Sequence, residues 1–357
     1  MVLCPFIPSS ARMELSDFMY ELPRSLIAAA PAGDRAAARL MVVRSESGEI
    51  DHSDFSSLGD FLRAGDALVL NDTRVFPARL RGRKESGGKV ELLLLEPVPH
   101  WPNLWIVLVD AAKRPQVGAR IFFSSGIYAE IIGEMGRGRC GVKFHYDGDF
   151  TEVLEKVGEP PIPPYVQQER AVAALDRERY QTVYARSPGA VAAPTAGFHF
   201  TPELLAALES KGVVTAFLTL HVGPGTFMPV REEKVENHRM EGERYKLRGN
   251  EAEKIEQAKA SGNRVIAVGS TSTRALEWIA ARKGALEADE GIARLFIRPG
   301  HPFRVIDGLI TNFHLPGSTP LVLVAAFAGL DLTRRAYEEA IRSQYRFYSY
   351  GDAMLIL

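Results

Sequence analysis

Four histidines sit in loops that follow apolar, strand-like runs: APTAGFHF (His199), LHVGPGTF (His221), ENHRMEGE (His238) and ITNFHLPGST (His314). They are half of the chain's eight histidines, and their neighbours are Gly, Pro, Thr and Asn rather than a periodic apolar face. Imidazole exchanges a proton near neutrality, and binding and catalytic groups concentrate in loops. Proton transfer is therefore the chemistry these residues point to, against a hydrogen-bonded structural histidine at each position taken singly. With Glu241 and Glu243 the same imidazoles could hold zinc. The chain has no HExxH and no two histidines at i, i+4, so such a site would depend on tertiary assembly. A metal-dependent nucleoside or phosphoester hydrolase is the alternative enzyme reading.

A second constellation is VIAVGSTSTRALE, which places Ser270, Thr271, Ser272 and Arg274 at the start of a predicted helix. Free N–H groups and the positive dipole end favour an anion there, and Arg274 could grip a carboxylate or phosphate in two places. A plain Ser/Thr cap with a surface arginine fits equally. NDTRVFPAR (Asn71 to Arg79) ends a predicted strand in a turn and supplies either a hinge or a site wall. GRGRCG (Gly136 to Gly141) matches GxGxxG, but β-type residues lie on both sides, so it reads as a hairpin turn and not a dinucleotide fingerprint. No Walker A sequence is present.

The elements that must position these residues differ along the chain. From Val75 to about Tyr146 short β-rich runs (VELLLLEPV, LWIVLVDA, ARIFFSS, IYAEIIGEM, CGVKFHY) alternate with turn residues, as in a small antiparallel barrel or sandwich. The C-terminal half alternates strands and helices, implying an α/β layer with a partly parallel sheet. Thr201 and Pro202 open a helix through PELLAALESKG, VTAFLTLHV is a strand, Asn250 with Glu253 is a capping pair, and RVIAVG precedes the helix TRALEWIAARK. Residues 1–73 and 156–357 are thus expected to make one α/β domain, with 74–155 inserted. Pro320 to Leu332, the longest apolar stretch, is too short for a bilayer and reads as a buried helix.

In 357 residues with 46% apolar content there is ample core for two domains. The opening residues make a poor secretory signal, and Cys4 and Cys140 have no metal or disulfide spacing, so a cytoplasmic protein without membrane contact is expected. The net charge of -1 conceals an asymmetry. Residues 74–145 hold twelve Lys and Arg against six Asp and Glu, a net +6 that leaves -7 elsewhere. Such polarity suits a polyanion on one surface, or a solvated basic face. An RNA-binding module without catalysis is the third reading, and it leaves the histidine loops without a purpose.

These strings together resemble the S-adenosylmethionine:tRNA ribosyltransferase-isomerase family. LSDFMYELP, LVLNDTRVFPARLRGRK, RYQTVYA, APTAGFHFT, LHVGPGTFMPV, VGSTSTRALE, DGLITNFHLPGST and YRFYSYGDAMLIL occur in the family's order from about Leu15 to Leu357. The resemblance implies an α/β/α sandwich with an inserted β-barrel. It also implies that ribose moves from S-adenosylmethionine, a consumed donor, to the aminomethyl group of 7-aminomethyl-7-deazaguanine at the tRNA wobble position. Adenine and methionine leave, and the ribose becomes an epoxycyclopentane. No bound cofactor or metal is implied; tRNA and S-adenosylmethionine are the partners, and a monomer is the expectation. Residues 1–12 precede the match. Where the family reads HxMHxE, this chain has His238, Met240, Glu241 and Glu243, so a carboxylate stands at a histidine position.

That chemistry needs a base for the proton beside the sulfonium, an acid for departing adenine and a neutral tRNA amine. The expected catalytic groups are His199, His221 and His314, with Glu243 or Glu241 as partner. The expected substrate-binding residues are Asp72, Thr73, Arg74, Thr195, Gly197, Phe198, Gly223, Gly225, Thr226, Phe227, His238, Ser270, Thr271, Ser272, Arg274, Thr311, Asn312 and Phe313. Arg274 would hold the methionine carboxylate, and Phe198, Phe200, Phe227 and Phe313 would either stack on adenine or belong to the core. Arg79, Arg81, Arg83, Lys84, Lys113, Arg114, Arg137 and Arg139 are the expected tRNA contacts.

Overall fold

The computed structural model describes residues 13–31, 33–124, 126–136, 138–162, 179–223, 225 and 230–357. Its strands are β1 (Arg39–Val43), β2 (Ile50–Asp54), β3 (Ala67–Asn71), β4 (Thr73–Val75), β5 (Arg79–Lys84), β6 (Lys89–Val98), β7 (Trp101–Asp110), β8 (Arg120–Phe122), β9 (Tyr128–Gly136), β10 (Arg139–His145), β11 (Gly158–Glu159), β12 (Ser187–Ala190), β13 (Val214–Leu220), β14 (Glu243–Leu247), β15 (Val265–Val268), β16 (Asp289–Ala293), β17 (Gly308–Asn312) and β18 (Ala353–Ile356). The helices are α1 (Phe150–Val157), α2 (Pro202–Ser210), α3 (Gly249–Ala260), α4 (Gly269–Lys283), α5 (Thr319–Ala328) and α6 (Leu330–Arg342).

The chain divides into two compact units. One comprises Met1–Thr73, Gln181–Ser187 and Pro194–Leu357; the other, Arg74–Tyr180 and Pro188–Ala193. The first is built on a mixed nine-stranded sheet in the order β16-β14-β13-β3-β15-β17-β18-β1-β2. At its centre β13, β3, β15 and β17 run parallel. One face (Leu68, Leu70, Ile266, Val268, Ile310 and Leu355) packs on Phe55, Leu58, Phe200 and Leu208. The alternate residues Val69, Val265, Ala267 and Leu309 are buried as well, and α4 lies against β3, β13, β15 and β17. Burial on both faces makes these parallel strands almost uniformly apolar, which is how VIAV and ALVLN read.

In the second unit β5-β6-β7-β10-β9-β8 close into a six-stranded antiparallel barrel through pairing of β8 with β5. Inward residues alternate along its strands, Val90, Leu92 and Leu94 on β6 and Cys140, Val142 and Phe144 on β10, and form its core. Closure leaves no free edge among these six strands. Cys140 is thus a core residue, and GRGRCG is the β9–β10 hairpin, with Gly136 and Gly138 at φ 76° and 82°. β4 and β12 form a separate two-stranded sheet.

Thr201 caps α2 by accepting from Leu204 N, with Pro202 in the first turn. Asn250 is no cap: α3 already begins at Gly249, and the Asn250 amide donates to Glu251. The apolar run from Pro320 is not one helix either. Gly329 at φ 86° breaks it into α5 and α6, a conformation that side chains beyond glycine resist. No helix among the described residues is long and apolar enough to cross a membrane.

Candidate active site

The chemistry-bearing loops gather at one end of the nine-stranded sheet because the four central strands run the same way. β3 ends at Asn71-Asp72-Thr73, β13 at His221 and Gly223, β15 at the start of α4, and β17 at Thr311-Asn312 ahead of His314. β14 runs antiparallel to β13, so its first residue, Glu243, comes to the same end. Open α/β sheets bind ligands beyond the carboxyl ends of their parallel strands.

Asn71, which the sequence reading passed over except as a strand end, ties this edge together. Its Oδ1 accepts from Leu220 N (2.9 Å) and Thr73 N (3.2 Å), and its Nδ2 donates to Leu220 O (3.0 Å) and Thr271 Oγ1 (3.1 Å). Thr73 Oγ1 in turn meets His221 Nδ1 at 2.8 Å. Asp72 is buried, accepts from the Thr219 hydroxyl at 2.6 Å and lies 3.6 Å from the Arg248 guanidinium. Arg74 is exposed and belongs to the barrel unit.

Glu243 and Arg274 form a buried ion pair, their side chains only 3% and 5% exposed. Glu243 Oε1 accepts from Gly223 N at 2.9 Å, while Arg274 Nε donates to Leu295 O at 3.1 Å. Arg274, expected to meet a substrate carboxylate, has its guanidinium turned to the Glu243 carboxylate in this structure. Glu241 lies over Gly225, where an added Cβ would come within 2.9 Å of its Oε2. His238 is spent locally, its Nδ1 2.9 Å from Glu232 Oε2 and its ring edge-on to Phe296.

His199 ends a 3-10 turn (Thr195–His199) and is 4% exposed, with Nε2 taking a hydrogen bond from Asn312 Nδ2 at 3.1 Å. Thr195 donates to the same Asn312, which fixes that amide and leaves the histidine proton on Nδ1. His314 Nε2 meets Thr311 Oγ1 at 2.8 Å. Thr311 and Asn312 are consecutive on β17, so their side chains leave opposite faces of the sheet, and His199 and His314 are separated by it. Phe55 packs beside His199, whereas Tyr337 of α6 accepts from His314 N and Tyr20 donates to His314 O. Neither tyrosine was among the expected site residues; LSDFMYELP was the only pointer to Tyr20. Burial pushes His199 and His314 down to about 3, with Arg35 and Arg346 adding to the effect on His199. Burial and then Arg244 push His221 down to about 4. All three imidazoles are neutral at pH 7.

Other expectations meet their local packing. Phe313 is fully buried among Tyr337, Tyr345 and Phe347, Phe200 lies in the sheet core, and Phe198 is 6% exposed against Tyr350, so these three are packing residues and not stacking faces. Ser272 is buried with its hydroxyl returned to Val268 O, and Thr271 accepts from Asn71; Ser270 stays partly exposed. Gly197 is where a Cβ would fall 2.1 Å from the Tyr184 hydroxyl. Thr226, Phe227 and Arg137 lie outside the described residues. Among the described residues no three His, Cys, Asp or Glu side chains are grouped as metal ligands would be.

On the barrel, Arg79 is buried, pairs with Glu91 at 3.0 Å and donates to Ile162 O, which removes it from the expected phosphate contacts. Arg81, Arg83, Lys113 and Arg114 are exposed, Lys84 and Arg139 partly so. Arg81 also bonds Glu91 and Glu159.

Residues 15–356 match the family described as "Queuosine biosynthesis protein". The chain belongs to that family. It is 50% identical over 347 residues to an S-adenosylmethionine:tRNA ribosyltransferase-isomerase of Caldanaerobacter subterraneus, with 97% of this chain and 100% of that one covered. It is 48% identical to the protein of the same name from Syntrophotalea carbinolica, again over 97% and 100%. Among solved structures it is similar to S-adenosylmethionine tRNA ribosyltransferase from Thermotoga maritima, at 35% identity and a TM-score of 0.54 over 96% of this chain and 100% of that one.

Proposed function

We propose that this chain transfers and isomerises the ribosyl group of S-adenosylmethionine onto 7-aminomethyl-7-deazaguanine at the tRNA wobble position, releasing adenine and methionine. The observation that carries this reading is the match over nearly the whole chain to relatives named for that reaction. The donor is a consumed substrate, and the work falls to the protein's side chains.

His221 and His314 keep accessible surface at the strand ends and stand in the free-base form that removal of the proton beside the sulfonium requires, with a basicity that burial has lowered. A histidine so hard to protonate becomes a strong acid once it holds that proton, and can pass it to departing adenine. His199, enclosed and fixed by Asn312, orients this edge. Glu243, held between Gly223 N–H and Arg274, is the positioned carboxylate, with Glu241 over Gly225 beside it. The exposed cations of the barrel meet the tRNA backbone, while an unstacked base enters the strand-end site. This reading places the protein in the cytoplasm, with its tRNA substrate.

Incubation of the protein with S-adenosylmethionine and tRNA bearing the aminomethyl-deazaguanine tests this. Free adenine and a ribosyl-sized mass gain in the wobble nucleoside are expected. Absence of both products, with intact substrates, overturns the reading.

A further inference from the structure

The outer face of the barrel carries an aromatic row that the strand-end chemistry does not use. Phe122 on β8 is directly opposite Tyr128 on β9, which is directly opposite His145 on β10. The Tyr128 and His145 rings are stacked, 4.4 Å apart and 5° from parallel, and Phe122 lies 5.9 Å from Tyr128. Phe122 is 41% exposed, and Tyr128 and His145 are partly exposed. Arg120 places its guanidinium 5.5 Å from the Tyr128 ring centre. Two residues along, Arg120, Glu130 and Lys143 form a parallel charged row, Glu130 also lying 3.6 Å from His145. A concavity of about 780 Å³ adjoins the row, lined by Asn103, Tyr128, His145, Tyr146, Asp147 and Lys156 among others.

We infer that this row is a stacking platform for unpaired bases of an RNA. Aromatic rings in line, cations at their margin and polar groups in an adjoining hollow are what a single strand needs: π-faces for bases, charge for phosphates, donors and acceptors for base edges. The net +6 of residues 74–145 complements a polyanion, which a protein-docking face would not require. An inward-facing aromatic row would be core; here Ile121, Ala129 and Phe144 take the inward positions and leave the row outside. The inference rests on the proposed tRNA substrate and extends it to a second set of RNA contacts.

The test measures binding of a labelled anticodon stem-loop, and of a perfectly paired RNA duplex of equal length, to the full chain and to its Tyr128→Ala, Phe122→Ala and Tyr128→Phe variants. Tyr128→Ala is expected to weaken stem-loop binding roughly 5- to 100-fold, to leave duplex binding within about two-fold, and to be rescued by Tyr128→Phe. Equal losses for loop and duplex, or none, overturn the platform. So does sedimentation in which wild type self-associates, Tyr128→Ala does not, and stem-loop affinity is unchanged; the face then docks protein. Adenine release by the wild type is scored separately. A platform that fails beside an active wild type leaves the proposed function standing, and Tyr128-dependent loop binding by an inactive wild type does the reverse.

Discussion

Replacing Arg274 by Met separates a residue that positions Glu243 from one that grips the donor. The pair is buried on both sides, and Glu243 would retain the Gly223 N–H at 2.9 Å while losing the guanidinium. Breaking a buried ion pair from one side costs about 3–5 kcal/mol, because a charge is left in a poorly solvated place. Glu243→Gln leaves the Arg274 charge similarly stranded. The double variant removes both charges, so it should cost well under the sum, with a coupling of about 2 kcal/mol or more. Urea unfolding of the four proteins at pH 7.5 gives the stability cycle, and initial rates against S-adenosylmethionine give the kinetic one. Under the proposed function Arg274→Met lowers kcat, since Glu243 loses its orientation. An additive cycle, within about 0.5 kcal/mol, refutes the energetic argument. A rise in donor KM alone, with kcat intact, returns Arg274 to the methionine carboxylate.

Three further outcomes are expected. His199, His221 and His314 are neutral in the fold but protonate in the unfolded chain below its ordinary value of 6.5, so stability is full above that pH and declines as pH falls towards the folded values. At most about 1.4 kcal/mol is lost per histidine per pH unit, less for the partly exposed His221 and His314. Unfolding free energies from urea titrations at pH 7 and 5.5 should therefore differ by about 2–4 kcal/mol, and equal values defeat the assignment. Gly197→Ala puts a methyl 2.1 Å from the Tyr184 hydroxyl and 2.7 Å from Thr182 Cγ2. It should destabilise by about 1–3 kcal/mol, with partial recovery in Gly197→Ala/Tyr184→Phe; no recovery places the clash elsewhere. Arg83→Ala and Arg114→Ala should each lower the salt-dependence slope of tRNA affinity by about one, with the donor KM unchanged; an unaltered slope removes that residue from the phosphate contacts.

What the sequence disclosed depended on how local the cause was. β-runs, turn glycines and the Thr201-Pro202 cap carry their reasons within a few residues, so the barrel strands, the β9–β10 hairpin and α2 could be read directly. Gly329 also acts locally, but a hydropathy run is blind to φ and merged α5 with α6. The site divides on the same principle. That strands end at or just before Asn71, His221, Gly269 and Asn312 was legible; that those four strands run parallel and side by side is tertiary, and it is what makes four scattered loops one edge. No sequence spacing could show that Arg274 is taken by Glu243, residues 31 positions apart, or that Arg79 turns inward while Arg83 turns out.

The same geometry keeps the three histidines at this edge from converging as metal ligands among the described residues. A zinc site needs their lone pairs to converge on one point. Here Asn312, Thr73 and Thr311 each take one ring nitrogen, and β17 sends His199 and His314 to opposite faces. Burial then keeps each ring uncharged, which is unfavourable for binding an anion; it leaves the rings in the free-base form while lowering their basicity. Under the proposed function the donor is a sulfonium, and neutral imidazoles allow that cation to approach without repulsion. Under the proposed function, the same depressed basicity makes a ring that has taken up the proton ready to release it to the leaving group.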